Sequence, residues 1–143
     1  SLLPRRRLVQ KMASELGIPI ELHSRAQLDD MSRERPHNGF VLDCSPLPAP
    51  VIPYLKLPKS LPGTRPEVWV AADRVSDPQN LGALLRTCYF FGVNGVVASS
   101  ASASPFTPVV SKVSSGAMEV MRLYSAPDMT RFIKVCFFVC WLV

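Results

Sequence analysis

Cysteine is scarce in this sequence, and its spacing fits neither a disulfide scaffold nor a metal site. Only 4 of the 143 residues are cysteine, at positions 44, 88, 136 and 140, and no C-x-x-C pair occurs. Structural zinc sites need paired Cys or His ligands, and disulfide-dependent domains are richer in cysteine. We therefore expect reduced thiols buried as small apolar groups, and no metal ion.

Long apolar runs and glycine-rich loops are also missing. The longest apolar run is 135–143, about half of the roughly 18 residues that a membrane-spanning helix requires. Neither G-x-G-x-x-G nor G-x-x-x-x-G-K-[ST] is present, which argues against an ordinary dinucleotide or nucleoside-triphosphate site. The sequence therefore predicts no membrane span and no phosphate-binding loop of these types.

The charge balance is basic. Sixteen Lys and Arg residues against 11 Asp and Glu give a net charge of +5, and the excess is shared between the two halves of the chain. Such a balance suits an anionic partner without identifying it.

Hydrophobic residues make up 48% of the chain, so the chain as a whole is expected to fold.

Proline divides the chain. Seven of the 14 prolines lie between residues 46 and 66, a density that excludes helix and favours an extended, stiff connector. We therefore predict a small module at 1–45, a linker at 46–66, a second module at 67–134 and an apolar tail at 135–143. The tail is expected to be exposed, poorly ordered or prone to aggregation.

The first module is predicted to alternate helix and strand. Apolar residues at helical spacing from Leu8 to Leu16 indicate a helix that Gly17 ends. A strand at 18–22 follows. Ser24 and Gln27 form a capping box for a second helix through Met31, and a second strand is expected at 40–42.

The second module begins as a βαβ unit. The spacing predicts a strand at 68–72, a helix at 81–91 and a second, parallel strand at 93–98. Thr107 and Pro108 are typical of a helix start, and that helix should end near Ser115. A third strand at 120–124 and a helix from about 128 to 134 complete the module, which we assign to the α/β class.

The loop after the first strand leads to three residues that suggest an anion site. Asn80 stands where the helix is predicted to begin, Gly82 lies in its first turn, and Arg86 follows one turn later on the same face as Gly82. A glycine in the first turn fits the close approach of a ligand or of another backbone. A bare backbone beside a guanidinium suits a phosphate or a ribose. The alternatives are an N-cap for Asn80 and a solvated helix face for Arg86.

Three sequence segments resemble one family. The string D-x-x-x-D-P-x-N-x-G-A-x-x-R-T (73–87), the string K-x-S-x-G-A-x-E (112–119) and H-x-G followed by Phe-Val-Leu (37–42) are similar to motifs of the SpoU/TrmH family. Its members are RNA 2′-O-ribose methyltransferases of the knotted SPOUT class. The resemblance implies a ribosomal-protein-like αβ substrate-binding module followed by an incomplete parallel-sheet SPOUT methyltransferase domain.

The resemblance also implies residue roles and partners. Asn80, Arg86 and Glu119 would be catalytic, and Arg86, Lys112, Ser114 and His37 would contact RNA. The methyl donor would be S-adenosylmethionine, the substrate a guanosine ribose of rRNA, and the assembly a homodimer. The location would be the mitochondrial matrix, where the Arg5–Arg7 triplet is the remainder of a presequence or, equally, a solvated helix start near RNA.

Two further family motifs, G-x-E-x-x-G and S-L-N-V-S, do not occur in this chain. In the family they form the knot and bind the methyl donor, so no donor-binding residue can be assigned here. We therefore expect the chain itself to be inactive. The alternatives are a non-catalytic RNA-binding fragment, a nucleotide-binding domain without the glycine-rich turn, and a fragment that is degraded.

Overall fold

The computed structural model describes residues 3–55, 65–100 and 106–141. The chain divides into two compact units, Ser1–Cys44 and Ser45–Val143.

The first unit contains two helices. Helix α1 spans Leu3–Glu15 and α2 spans Arg25–Met31. The predicted capping box is confirmed, because the Ser24 hydroxyl accepts from the amide of Gln27 at 3.4 Å and the Gln27 side chain accepts from the amide of Ser24 at 2.8 Å. Both helices therefore lie where the sequence predicts them.

The two strands predicted in this unit are wrong. Residues 18–22 and 40–42 form no ladder in the described part of the unit, and the side chains of Leu22 and Leu42 are 91% and 71% exposed. A strand persists only where a neighbouring strand pairs with it. Short apolar alternation indicates the local preference but cannot supply that neighbour.

The second unit is built on a three-stranded parallel sheet. Strands β1 (Trp69–Ala72), β2 (Gly95–Ser99) and β3 (Arg122–Ala126) lie in the order β1-β2-β3. Trp69 is opposite Gly95, which is in turn opposite Arg122. The predicted α/β class and parallel pairing are confirmed.

Four helices accompany these strands. Helix α3 (Pro78–Phe90) connects β1 to β2, α4 (Pro108–Ser114) and α5 (Ala117–Val120) lie between β2 and β3, and α6 (Met129–Trp141) follows β3. The predicted cap of α4 is confirmed, since the Thr107 hydroxyl accepts from the amide of Val110 at 3.5 Å. The helix after β1 begins three residues earlier than the sequence suggests.

The sheet is covered by helices on both faces, as its strand alternation requires. One face packs on α3 to α5 and the other on α6. The first core comprises Ala72, Leu81, Leu85, Cys88, Val96, Ala98, Phe106, Val110, Ala117, Met118 and Leu123. The second comprises Val97, Ala126, Met129 and Phe132.

Helices α3 and α4 approach closely at Gly82. A Cβ atom added there would lie 2.6 Å from Cβ of Val113 and 3.1 Å from the carbonyl oxygen of Val110. The sequence favoured a ligand or another backbone as the reason for this glycine. The structure shows that the glycine allows the close approach of α4, because Val113 and the carbonyl of Val110 occupy the space beside it.

The described part of the proline-rich segment packs on the sheet. Val51 forms a parallel bridge with Ser125, the amide of Ile52 donates to the carbonyl of Ser125 at 2.9 Å, and the amide of Ser125 donates to the carbonyl of Pro50 at 3.0 Å. The Ser125 hydroxyl donates to the carbonyl of Ala49 at 3.1 Å. This extended segment therefore covers the outer edge of β3, and residues 56–64 lie outside the described residues.

The apolar segment expected to be poorly ordered continues α6 through Trp141. Cys136 packs on the second core, and its sulfur accepts from the amide of Leu55 at 3.3 Å. Helix formation satisfies the backbone here, and one side of the helix is covered by the sheet. Phe137 is exposed, as expected, and residues 142 and 143 lie outside the described residues.

The cysteines behave differently from one another. Cys88 is buried, Cys136 is intermediate and Cys44 is exposed, and all three are free thiols. Burial raises the pKa of Cys88 above its usual value. The expectation of buried thiols is therefore confirmed for Cys88 and wrong for Cys44, while the side chain of Cys140 lies outside the described residues.

The described ranges contain neither a membrane-spanning helix nor a metal-binding cluster. None of the helices within them has the length and apolar character needed to cross a membrane. In the same ranges, no three His, Cys, Asp or Glu side chains are grouped so that they could hold a metal ion.

A polar cluster joins the amino ends of the three strands. The Trp69 indole N–H donates to Glu67 at 2.9 Å, Arg122 Nη2 donates to Glu67 at 3.2 Å, and the Arg122 guanidinium lies 4.8 Å from the Trp69 ring centre. The Trp69 hydrogen bond, followed by Arg122, lowers the pKa of Glu67 below its usual value. This cluster has no signature in the sequence, because Arg122 is 55 positions from Glu67 along the chain.

We expect the replacement Glu67→Gln to lower stability at neutral pH and to lose its effect in acid. A carboxylate whose pKa is depressed by folding stabilises the protein above its unfolded-state pKa, and this contribution disappears as the pH falls through the folded-state pKa. Urea denaturation of both proteins between neutral pH and pH about 3 measures the difference. The exposed Asp73, changed to Asn, is the control for loss of one acidic charge, and a difference independent of pH would contradict the prediction.

We expect Gly82→Ala to destabilise the second unit by about 1–3 kcal/mol, because the new methyl group overlaps Val113. In an open helix position the same change stabilises by about 1 kcal/mol. A lower urea midpoint for Gly82→Ala therefore indicates tight packing at this position. A higher midpoint would indicate free space and contradict the prediction.

Candidate functional site

The predicted site residues of the second unit lie on one layer of the fold. Helices α3, α4 and α5 pack against each other and cover the same face of the sheet. Asn80 and Arg86 belong to α3, Lys112 and Ser114 to α4, and Glu119 to α5. The packing at Gly82 therefore determines how these side chains are arranged.

Asn80 is not the N-cap of its helix. The cap is Asp77, whose carboxylate accepts from the amide of Gln79 at 2.9 Å, and Pro78 occupies the first helical position. Asn80 is exposed within the first turn. Asn80 therefore does not have the N-cap role that was the alternative to a ligand contact, and its carboxamide faces solvent.

Arg86 is exposed on α3, and its guanidinium makes no hydrogen bond or ion pair with the residues that the structure describes. It follows Asn80 by six positions, which in an α-helix is about 9 Å along the axis and about 120° around it. The two side chains therefore leave different sides of α3. Helix α3 alone therefore does not bring Asn80 and Arg86 together into the predicted ribose-sized hollow.

Glu119 is held by a neighbouring helix. The Ser111 hydroxyl of α4 donates to its carboxylate, and the side chain is otherwise exposed. Ser111 was not among the predicted site residues, although it immediately precedes Lys112, which was. This contact fixes the carboxylate at the junction of α4 and α5.

Ser114 has a structural role rather than the predicted RNA contact. It is 1% exposed, its hydroxyl donates to the carbonyl of Ser111 at 2.9 Å, and the same oxygen accepts from the amide of Met118 at 3.2 Å. It therefore links α4 to α5. Lys112, in contrast, is exposed in the last turn of α4.

His37 of the first unit is enclosed. Its side chain is 10% exposed, Nδ1 accepts from the amide of Gly39 at 3.1 Å, and Nε2 lies 2.9 Å from Oδ1 of Asp29. Because Nδ1 accepts, we assign the ring proton to Nε2, which donates to Asp29. Both ring nitrogens are thus engaged within the unit, and direct contact with RNA is not the role this geometry supports.

The carboxyl ends of β1 and β2 are joined by a contact that sequence reasoning missed. The amide of Arg74 donates to the Ser99 hydroxyl at 2.7 Å, and Arg74 adopts a left-handed backbone with φ of 52°. This turn leads into α3 at Asp77. A non-glycine residue in this conformation has no signature in the sequence.

The cavities in the described part of the second unit do not match a methyl-donor site. One of about 270 Å³ lies between the sheet and α6, lined by apolar residues that include Leu55, Trp69 and Phe132. Another of the same volume lies at the end of β3, beside Asp128 and Arg131. Ligand pockets are usually at least about 300 Å³, and Asn80, Arg86 and Glu119 line neither cavity. Neither of these two cavities therefore matches a site for S-adenosylmethionine.

Comparison with known proteins gives two family matches. Residues 67–143 match the SpoU rRNA Methylase family, and residues 2–50 match the family described as RNA 2'-O ribose methyltransferase substrate binding. Together they include both units, although they leave most of the proline-rich segment between them.

Similar proteins carry related names. The chain is 40% identical over 134 residues to rRNA methyltransferase 1, mitochondrial, of Homo sapiens, which covers 93% of this chain and 37% of that protein. It is 36% identical over 130 residues to the 23S rRNA (guanosine-2'-O-)-methyltransferase RlmB of Coxiella burnetii, covering 88% of this chain and 49% of that protein.

A solved structure shares the fold. The crystal structure of an rRNA methyltransferase from Sinorhizobium meliloti aligns with a TM-score of 0.56 at 20% identity, over 97% of this chain and 48% of that one. This chain thus spans less than half the length of each of the three proteins. The SpoU rRNA Methylase family model nevertheless matches more than half of the residues of this chain. The chain therefore belongs to the SpoU rRNA methylase family.

Proposed function

We propose that this chain takes part in the 2′-O-methylation of a guanosine ribose in rRNA. The observation that carries the proposal is the exposure of Asn80 and Arg86 on α3, and of Glu119 on α5, on one helical layer of a SpoU-family fold. The methyl donor that the resemblance implies is S-adenosylmethionine. The mitochondrial relative supports a mitochondrial location, which we propose to be the matrix.

Arg86 is suited to orient the ribose and to stabilise charge. Its guanidinium stays protonated at all physiological pH values, so it cannot act as the proton acceptor. A planar cation can instead hold the 2′-hydroxyl or its adjacent phosphate and stabilise the negative charge that develops on the attacking oxygen. The adjacent phosphate is then the acceptor of the hydroxyl proton.

Asn80 and Glu119 are proposed as further contacts with the RNA. Asn80 offers both a donor and an acceptor. The Glu119 carboxylate is oriented by Ser111 and keeps further acceptor capacity for a ribose or base hydrogen. Lys112 adds a positive charge to the same layer, which favours the phosphate backbone.

A second copy of the chain is the other proposed partner. Tyr89, Phe90 and Phe91, at the end of α3, are 57%, 82% and 74% exposed, and the two phenylalanine rings pack edge to face at 5.3 Å. A contiguous exposed aromatic surface is unusual in a monomer. It supports a homodimer formed through the carboxyl end of α3.

A second candidate function is RNA binding without catalysis. The observation that favours it is the character of the described cavities, which are small and mostly apolar. The two functions share RNA affinity and differ in affinity for the methyl donor.

We expect Arg86→Gln to weaken binding of rRNA by this chain about fivefold and to lower the salt slope of binding by about 1, as for loss of one phosphate contact. Stability should not change, because the side chain is exposed. Fluorescence anisotropy with a labelled rRNA stem-loop at several salt concentrations measures both quantities. Arg131→Gln, on the exposed side of α6 across the sheet, is the matched control, and equal losses in the two variants would contradict a specific role for Arg86.

We expect isothermal titration calorimetry to detect no binding of S-adenosylmethionine to this chain, since the two family motifs that the resemblance assigns to donor binding do not occur in it. Titration with the labelled stem-loop in the same preparation shows that the protein is folded and competent. A micromolar dissociation constant for the methyl donor would overturn the expectation and favour the catalytic function for the chain alone.

A further inference from the structure

Helix α2 ends with arginine at a position that usually holds glycine. The amide of Glu34 donates to the carbonyl of Asp29 at 2.9 Å, and the amide of Arg33 donates to the carbonyl of Asp30 at 2.8 Å. This pair of bonds defines the Schellman ending of a helix, in which the residue at the place of Arg33 is left-handed. Arg33 has φ of 53° there, and Glu34 follows with φ of 57°.

Two other helices of this chain end in the same way and use glycine. After α1, the amide of Ile18 donates to the carbonyl of Ala13 at 2.9 Å, and Gly17 between them has φ of 67°. After α3, the amide of Val93 donates to the carbonyl of Cys88 at 2.9 Å, and Gly92 has φ of 70°. An L-residue with a side chain is disfavoured in this conformation, so Arg33 carries a conformational cost that glycine would not.

The turn that contains Arg33 is held firmly in this conformation. The Ser32 hydroxyl lies 2.9 Å from the carbonyl oxygens of both Asp29 and Arg35 and can donate to either. His37 adds a second connection through its contacts with Asp29 and Gly39. His37 is therefore a positioning residue for residues 32–37, which we call the arginine turn.

The arginine turn presents guanidinium groups to solvent. Arg33 and Arg35 are exposed. Arg6 of α1 lies beside Gly39, two residues after the turn, because a Cβ atom added at Gly39 would lie 3.1 Å from its Nη2 atom. Within the described residues, none of these three arginines forms an ion pair. Glu34, between Arg33 and Arg35, is the one carboxylate inside the turn.

We propose that the arginine turn binds the phosphate backbone of the RNA substrate and that the side chain of Arg33 makes this contact. The inference rests on the proposed function, for which it identifies an RNA-contacting surface in the first unit. A strained residue that persists in a well-held turn points to a use for its side chain. Because the backbone of the turn is already held before binding, it loses little freedom when the guanidinium that it carries meets a phosphate.

The replacement Arg33→Gly separates function from structure. We expect it to leave the urea midpoint unchanged or raised, because glycine fits the left-handed position, and to weaken binding of a labelled rRNA stem-loop about fivefold with a salt slope smaller by about 1. Arg33→Lys should keep most of the affinity, since it keeps the charge, although it lacks the planar fork. Arg25→Gln, an exposed arginine at the other end of α2, is the matched control.

The outcomes distinguish this proposal from the one on which it rests. If the unaltered chain binds the stem-loop and Arg33→Gly binds equally well, the arginine turn is not an RNA contact, whatever the second unit does. The proposal is also wrong if Arg33→Lys loses as much affinity as Arg33→Gly, or if Arg25→Gln has the same effect. If the unaltered chain does not bind RNA at all, both proposals fail together.

Discussion

The candidate site depends on the close approach of α3 to α4 at Gly82. Without a side chain at this position, α3 lies near enough to α4 for Val113 to occupy the space that a methyl group would fill. Since Glu119 is held by Ser111 of α4, the distance between Arg86 and Glu119 depends on this packing. Gly82, which the sequence suggested as space for a ligand, thus determines how α3 and α4 pack. It thereby affects the positions of the side chains proposed to contact the RNA.

The parts of the fold that could be predicted are those determined by neighbouring residues in the chain. The strand before Asp73, the capping box at Ser24 and the cap at Thr107 each depend on contacts within a few positions. The strands expected in the first unit failed because pairing requires a distant partner. The start of α3 was misplaced because Asn80 and Asp77 are both good caps, and Pro78 decides in favour of Asp77.

The site was predicted less well than the fold, for a related reason. A polar residue in a family motif can contact the ligand or support the residues that do, and the sequence does not show which. Ser114 and His37 are of the supporting kind, since one joins two helices and the other holds a turn. Arg33 is a residue outside the family motifs that we propose as an RNA contact. The proposal starts from its left-handed backbone angle, which the residue type does not reveal.

The contact of residues 49–52 with Ser125 affects where the second unit should be considered to begin. Unpaired strand edges invite pairing with other molecules, and proline-containing segments are poor templates for that pairing. Here Pro50 and Ile52 occupy the backbone groups of Ser125, and Ala49 accepts from its buried hydroxyl. A domain boundary drawn at β1 would remove these partners from the third strand and leave it open to self-association.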